Sequence, residues 1–77
     1  MATIADFVGT WYRGGDRKQP RIIKLNGKYL SVQRSSDWLS CAFDGNNTIK
    51  HNGGTLTGTI SSDMKRIAWS DGTSYER

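Results

Sequence analysis

One cysteine, one histidine and one proline are all that 77 residues contain. The lone Cys41 excludes an internal disulfide and a multi-cysteine zinc site, so cysteine usage gives no sign of secretion. The lone His51 excludes a multi-histidine metal centre. Long apolar runs are missing too: no stretch approaches the ~20 residues that a helical membrane span requires. The opening Met1-Ala2-Thr3-Ile4-Ala5-Asp6 lacks the basic and apolar segments of a secretory signal. Together with the unpaired cysteine, this makes a cytoplasmic location the expectation. No apolar stripe keeps a helical period for three turns. Thr3 to Phe7, with Asp6 three residues after Thr3, allows at most one short N-terminal helical turn.

What the chain does have is glycine, nine in all, four of them placed directly after Asn or Asp. Asn26-Gly27, Asp44-Gly45, Asn52-Gly53-Gly54 and Asp71-Gly72 separate runs that alternate apolar and polar residues. Asn, Asp and Gly reach positive φ at low cost, which tight hairpin turns demand. The strand-like runs are 6–13, 21–25, 28–34, 38–43, 48–51, 55–60, 65–69 and 73–76. Pro20 stands just before the second run, at a position where its missing N–H breaks no central ladder bond. Connections this short make neighbouring strands antiparallel. The fold class is therefore all-β: a small antiparallel up-and-down meander of six to eight short strands, closed or nearly closed into a barrel. It occupies residues 1–77 as one small domain.

Period-two phasing sorts the side chains. One phase collects Phe7, Gly9, Trp11, Ile23, Leu25, Leu30, Val32, Leu39, Cys41, Phe43, Ile49, Leu56, Ile60, Ile67, Trp69 and Tyr75, which form the expected core. The other carries Thr10, Lys24, Ser31, Gln33, Ser40, Thr55, Thr57, Thr59 and Ser74, which suit water. A weak echo runs through the chain. Gly9-Thr10-Trp11 recurs as Gly58-Thr59-Ile60, and Arg21 to Gly27 recurs loosely as Arg66 to Gly72. A duplicated half-barrel and shared hairpin chemistry both account for it.

Catalytic patterns are sparse. The aspartates Asp16, Asp37, Asp44, Asp63 and Asp71 fall in turns, where they bond nearby backbone. Asp44-Gly45-Asn46-Asn47 lacks the following bidentate Glu of a calcium loop. Cys41, between Leu39 and Phe43, reads as a buried structural thiol. His51 reads as a polar residue beside a turn. The expectation is a non-enzymatic protein with no catalytic residues, no metal and no cofactor.

Charge is distributed unevenly. Residues 13–34 carry seven cations, Arg13, Arg17, Lys18, Arg21, Lys24, Lys28 and Arg34, against Asp16 alone, a net of +6. The remainder carries four cations against six carboxylates, a net of −2. Such asymmetry points to an anionic partner.

Ala5-Asp6-Phe7-Val8-Gly9-Thr10-Trp11-Tyr12 resembles the opening of calycin barrels. Fatty-acid-binding proteins carry a similar Phe-Val-Gly-Thr-Trp, lipocalins a Gly-x-Trp, and avidin-like proteins a Gly-Thr-Trp-Tyr. The resemblance implies a short helical turn before the first strand and a tryptophan, Trp11, packed at the closed end. It also implies an arginine, Arg77 or Arg66, lying across the indole. The chain departs from those families in its shorter length and in ending Tyr75-Glu76-Arg77, where fatty-acid-binding proteins end in the Arg-x-Tyr that grips a carboxylate. Eight strands of four to six residues also make a barrel filled by its own side chains, without a lipid pocket.

Three functional expectations follow. The first is a binding or interaction module with a shallow site on the outer face of the first four strands: Tyr12, Tyr29 and Trp38 beside Lys24 and Gln33, for carbohydrate or another surface ligand. The second is a single-stranded nucleic-acid module in which Arg13, Arg17, Lys18, Arg21 and Lys24 contact phosphates. The third is a structural or self-associating module, its aromatic patch buried against a second copy as a homodimer.

Overall fold

The computed structural model describes residues 2–77. A 3-10 turn, Ile4–Phe7, precedes eight strands: β1 Gly9–Arg13, β2 Pro20–Asn26, β3 Tyr29–Gln33, β4 Trp38–Phe43, β5 Thr48–His51, β6 Thr57–Ile60, β7 Arg66–Trp69 and β8 Ser74–Glu76. Each strand pairs antiparallel with the next, and β8 pairs back onto β1, so the meander closes into a barrel. Closure leaves no free sheet edge to recruit another chain. Among the described residues no helix is long and apolar enough to cross a membrane.

The local chemistry accounts for the elements. Asp6 Oδ2 accepts from the Thr3 amide at 2.7 Å while the Asp6 amide donates to the Thr3 carbonyl at 3.0 Å, which winds the N-terminal turn. The β2–β3 hairpin differs in detail from the Asn26-Gly27 turn of the sequence reading. Asn26 pairs with Tyr29, so the two loop residues are Gly27 and Lys28. Only Gly27 has positive φ, 63°. One positive φ at the first loop position is the II′ pattern, not the I′ pattern of a central Asn-Gly.

The inward phase fills the barrel. Phe7, Trp11, Ile23, Leu30, Val32, Cys41, Ile49 and Ile67 are fully buried, with Leu39, Ile60, Trp69 and Tyr75 close behind. Gly58, at the centre of β6, leaves room for the Trp69 ring directly opposite. Leu25 corrects the expected core: it holds the inward phase yet is 55% exposed. The β1 ladder begins at Gly9, opposite Ile23, so Leu25 extends past β1 and has a strand neighbour on the β3 side alone. The half-barrel duplication is corrected as well. The echoed segments are β1 with β6 and β2 with β7, an offset of five strands, whereas half of an eight-strand ring is four.

Alternating strand direction gives the barrel two unlike ends. The N-terminal turn, the 27–28, 44–47 and 61–65 connections and Arg77 gather at one end. That end is plugged: Phe7 meets Phe43 edge-on at 5.9 Å, and the Ala2 amide donates to Asn47 Oδ1 at 2.9 Å. Trp11 is fully buried there, its Nε1 donating to the Phe7 carbonyl at 2.9 Å. Of the two arginines considered for the indole, Arg77 takes the position, 4.0 Å from the ring centroid. The 14–19, 34–37, 52–56 and 70–73 connections surround the opposite end, which has no plug.

Candidate functional site

The outer aromatics each carry a cation from their own neighbourhood. Arg17 stands 4.7 Å from the Tyr12 ring centroid, Lys24 5.1 Å from Trp38, and Lys28 5.4 Å from Tyr29. Register decides which of these groups meet. Gln33 is the cross-strand partner of Trp38, and its Oε1 accepts from the Ile22 amide at 3.1 Å. Lys24, Gln33 and Trp38 thus share one strip with the exposed Ile22. Tyr12 sits on β1 opposite Pro20, four residues from Lys24 along the ladder and with β2 between it and the Gln33–Trp38 pair. Tyr29 begins β3 at the plugged end, four residues before Gln33. The five residues of the expected outer site are therefore one cluster of three and two separate tyrosines.

The basic residues divide in the same way. Arg17 and Lys18 lie in the 14–19 connection and Lys24 on the outer face. Arg13 and Arg21 do not join them. Each stands two residues from a core residue, Trp11 or Ile23, and so continues the inward phase beyond the last core layer. Arg34 does the same two residues after Val32. These three guanidinium groups meet at the unplugged end, around an open hollow of about 270 Å³. Ser35, Ser36 and Thr73 add hydroxyls to its wall; Asp37, Asp71 and Tyr75 complete it.

The electrostatics of this mouth follow from who holds whom. Arg34 Nε and Nη2 meet Asp37 Oδ1 and Oδ2 at 3.2 and 3.0 Å, a two-pronged ion pair and the only salt bridge among the described residues. The pair raises the Arg34 guanidinium and lowers the Asp37 carboxyl from their ordinary values. The carboxyl of Asp71 is lowered chiefly by the Thr73 hydroxyl and amide, which donate to its Oδ1. Arg21 Nη1 donates to the Pro20 carbonyl at 2.9 Å, and among the described residues Arg13 and Arg21 form no ion pair with a carboxylate. Burial raises the Tyr75 phenol, against the opposing pull of Arg21, Arg34 and Arg13. Tyr75 is fixed by donating to the Gln33 carbonyl at 2.8 Å and by its edge-on contact with Trp69 at 5.2 Å.

Beneath the mouth the barrel narrows to a recess of about 20 Å³ bordered by Val32, Leu39, Leu56 and Trp69. That is about the space of one water molecule, so the interior admits no sizeable ligand. Trp69 Nε1 is buried without an acceptor among the described residues.

Cys41 and His51 are register partners across β4 and β5, two residue types that elsewhere make a nucleophile and its base. Burial pushes the Cys41 thiol up to about 11, which keeps it protonated near neutrality. Among the described residues no three metal-ligating side chains gather.

Arg34, Tyr75 and the mouth hydroxyls were missing from the sequence-derived site. The signal that finds them is the inward phase carried two residues past each strand end: 11 to 13, 23 back to 21, and 32 to 34. No protein family, curated protein or solved structure matches this chain.

Proposed function

We propose that the protein is a non-enzymatic binding module for a compact anion, taken at the arginine-lined mouth of the barrel. One observation carries this reading: three arginines from adjacent strands line one hollow, and two of them form no ion pair with a carboxylate among the described residues. Unpaired like charges in proximity repel one another, and an oxyanion relieves that repulsion while accepting several charge-assisted hydrogen bonds. The hollow lies just below the ~300–1,000 Å³ typical of drug-sized ligand pockets, which favours a small ligand over a polymer. The Gly9-Thr10-Trp11 opening with Arg77 beside the indole supports a calycin-like architecture. The anion is then held at the rim, because the interior is full.

Calorimetric titration with small anions and neutral sugars tests this. Anions bind the wild type, and the Arg13→Met/Arg21→Met double variant loses at least tenfold in affinity while its far-UV spectrum stays native. Neutral sugars binding both forms equally would overturn it.

The outer strip supports a second reading. Lys24 beside the half-exposed Trp38 ring, with the Gln33 amide next to both, suits an acidic sugar on the sheet surface. Trp38→Ala then abolishes binding of an acidic glycan and Arg13→Met/Arg21→Met leaves it intact. The opposite pattern assigns that ligand to the mouth.

A further inference from the structure

Resting on the mouth as the anion site, we propose that its ligand is a phosphomonoester, and that the phosphate displaces Asp37 from Arg34 to bind. The first part comes from counting forks. Three guanidinium groups, each offering paired N–H donors, surround one hollow. A carboxylate has two oxygens in one plane and satisfies two forks at best. A phosphomonoester has three terminal oxygens arranged as a tripod, so each arginine receives one, and it carries close to two negative charges at neutral pH. The hydroxyls of Ser35 and Ser36 supply further donors on the same wall.

The second part comes from the Arg34–Asp37 pair. Asp37 meets Arg34 through both carboxylate oxygens, the pose that an incoming oxyanion would adopt. The chain therefore holds an internal competitor at the third fork. Both side chains are about half exposed, 49% and 53%, and they sit three residues apart on one short connection. An ion pair so exposed adds little to stability and opens readily. Asp71 makes no ion pair with the arginines among the described residues: its Oδ1 is taken by Thr73, and its charge acts on Arg13 and Arg34 only from a distance. The narrow recess below keeps the phosphate at the rim and directs the ester substituent outward to solvent. The site therefore reads the phosphate and tolerates variety in the group attached to it.

The test is calorimetric titration of the full chain with phenyl phosphate, benzenesulfonate and benzoate. The three share a ring and differ in oxygen count and charge. Phenyl phosphate is expected to bind at least tenfold tighter than benzoate, with benzenesulfonate, three oxygens on one charge, between them. Asp37→Asn should tighten phenyl phosphate several-fold. Asp44→Asn, the same charge change at the plugged end, should leave it unchanged, and Arg34→Met should weaken it at least tenfold. Benzoate binding as tightly as phenyl phosphate would overturn the phosphate assignment and leave a general anion site. Equal gains in Asp37→Asn and Asp44→Asn, or no gain in either, would overturn the competition at Arg34. If none of the three ligands binds, the mouth is not an anion site and both readings fall.

Discussion

The Arg77 guanidinium carbon stands 4.0 Å from the centroid of the Trp11 ring, and its nitrogens reach three backbone carbonyls around that ring. Nε donates to Met64 at 2.9 Å, Nη2 to Asp6 at 2.8 Å, and Nη1 more weakly to Val8 at 3.4 Å. One side chain thus ties the 61–65 connection to the N-terminal turn across the plug. Burial lowers the Arg77 guanidinium from its ordinary value, yet it stays charged at every physiological pH.

Arg77→Met should cost about 1–2 kcal/mol, combining a partly exposed cation–π contact with lost charged hydrogen bonds. For a domain of this size that is a fall in Tm of roughly 4–16 °C. Arg77→Lys keeps the charge but loses the fork, and should recover less than half of it. Urea unfolding followed by tryptophan fluorescence measures all three proteins. A lysine variant as stable as the wild type would show that charge alone matters there.

Gly58→Ala should be costly even though its backbone is ordinary strand. An added Cβ would meet Trp69 Cζ3 at 2.6 Å and Ile67 Cγ2 at 3.0 Å. Overpacking of this kind costs about 1–3 kcal/mol. Combining it with Trp69→Leu, which removes the offending ring, should cost less than the sum of the single changes. Strict additivity in chemical denaturation would place the damage elsewhere than at the ring.

Cys41 makes stability depend on alkaline pH. Its thiol is raised by burial from 9.0 to about 11. The unfolded chain thus releases this proton first, so the stabilising contribution is whole below pH ~9 and is lost as pH rises through about 11. Cys41→Ala should flatten that fall in stability between pH 9 and 11, seen in denaturation midpoints. Ellman's reagent at pH 8 should modify the wild type only as fast as it unfolds, and prompt modification of the native protein would contradict this burial.

Phenyl phosphate affinity should drop several-fold between pH 7.5 and 5. The ligand's second proton adds near pH ~6 and removes one of its two charges. The groups facing the site are Arg13, Arg21, Arg34, Asp37, Asp71 and Tyr75. The arginines stay charged across this range. Both carboxyls are held below their ordinary value and Tyr75 above its own, so none of these changes state. His51, the last residue of β5, also acts on Asp37 and is replaced by Gln for the measurement. An affinity that stays level, or rises, on acidification would point to a ligand mode other than the dianion.

The barrel was legible because alternation and turn chemistry agree over nearly the whole chain. Trp11, Val32 and Ile67 follow one phase, and Gly27 and Gly72 stand where the chain reverses. Leu25 escaped because phase gives direction without height: it points inward at a level that β1 does not reach. The mouth escaped for the same reason. Arg13, Arg21 and Arg34 look like scattered surface charges until the stagger of the strands shows that they share one level at one end. The outer tyrosines were grouped by phase alone, and only the ladder revealed that Tyr12 lies strands away from Trp38 and Tyr29 at the other end of the neighbouring strand.

The seam where the ring closes has its own consequence. Two residue pairs, Tyr12 with Glu76 and Arg13 with Tyr75, join β8 to β1, against four pairs between β1 and β2. Partial opening therefore starts along this joint, and the amides of β8 should exchange with solvent before those of β3. Arg13 and Tyr75 are also walls of the mouth. An anion lodged there spans the joint, so the molecule that occupies the site also fastens the hoop, and occupancy should be readable as slowed exchange along the last strand.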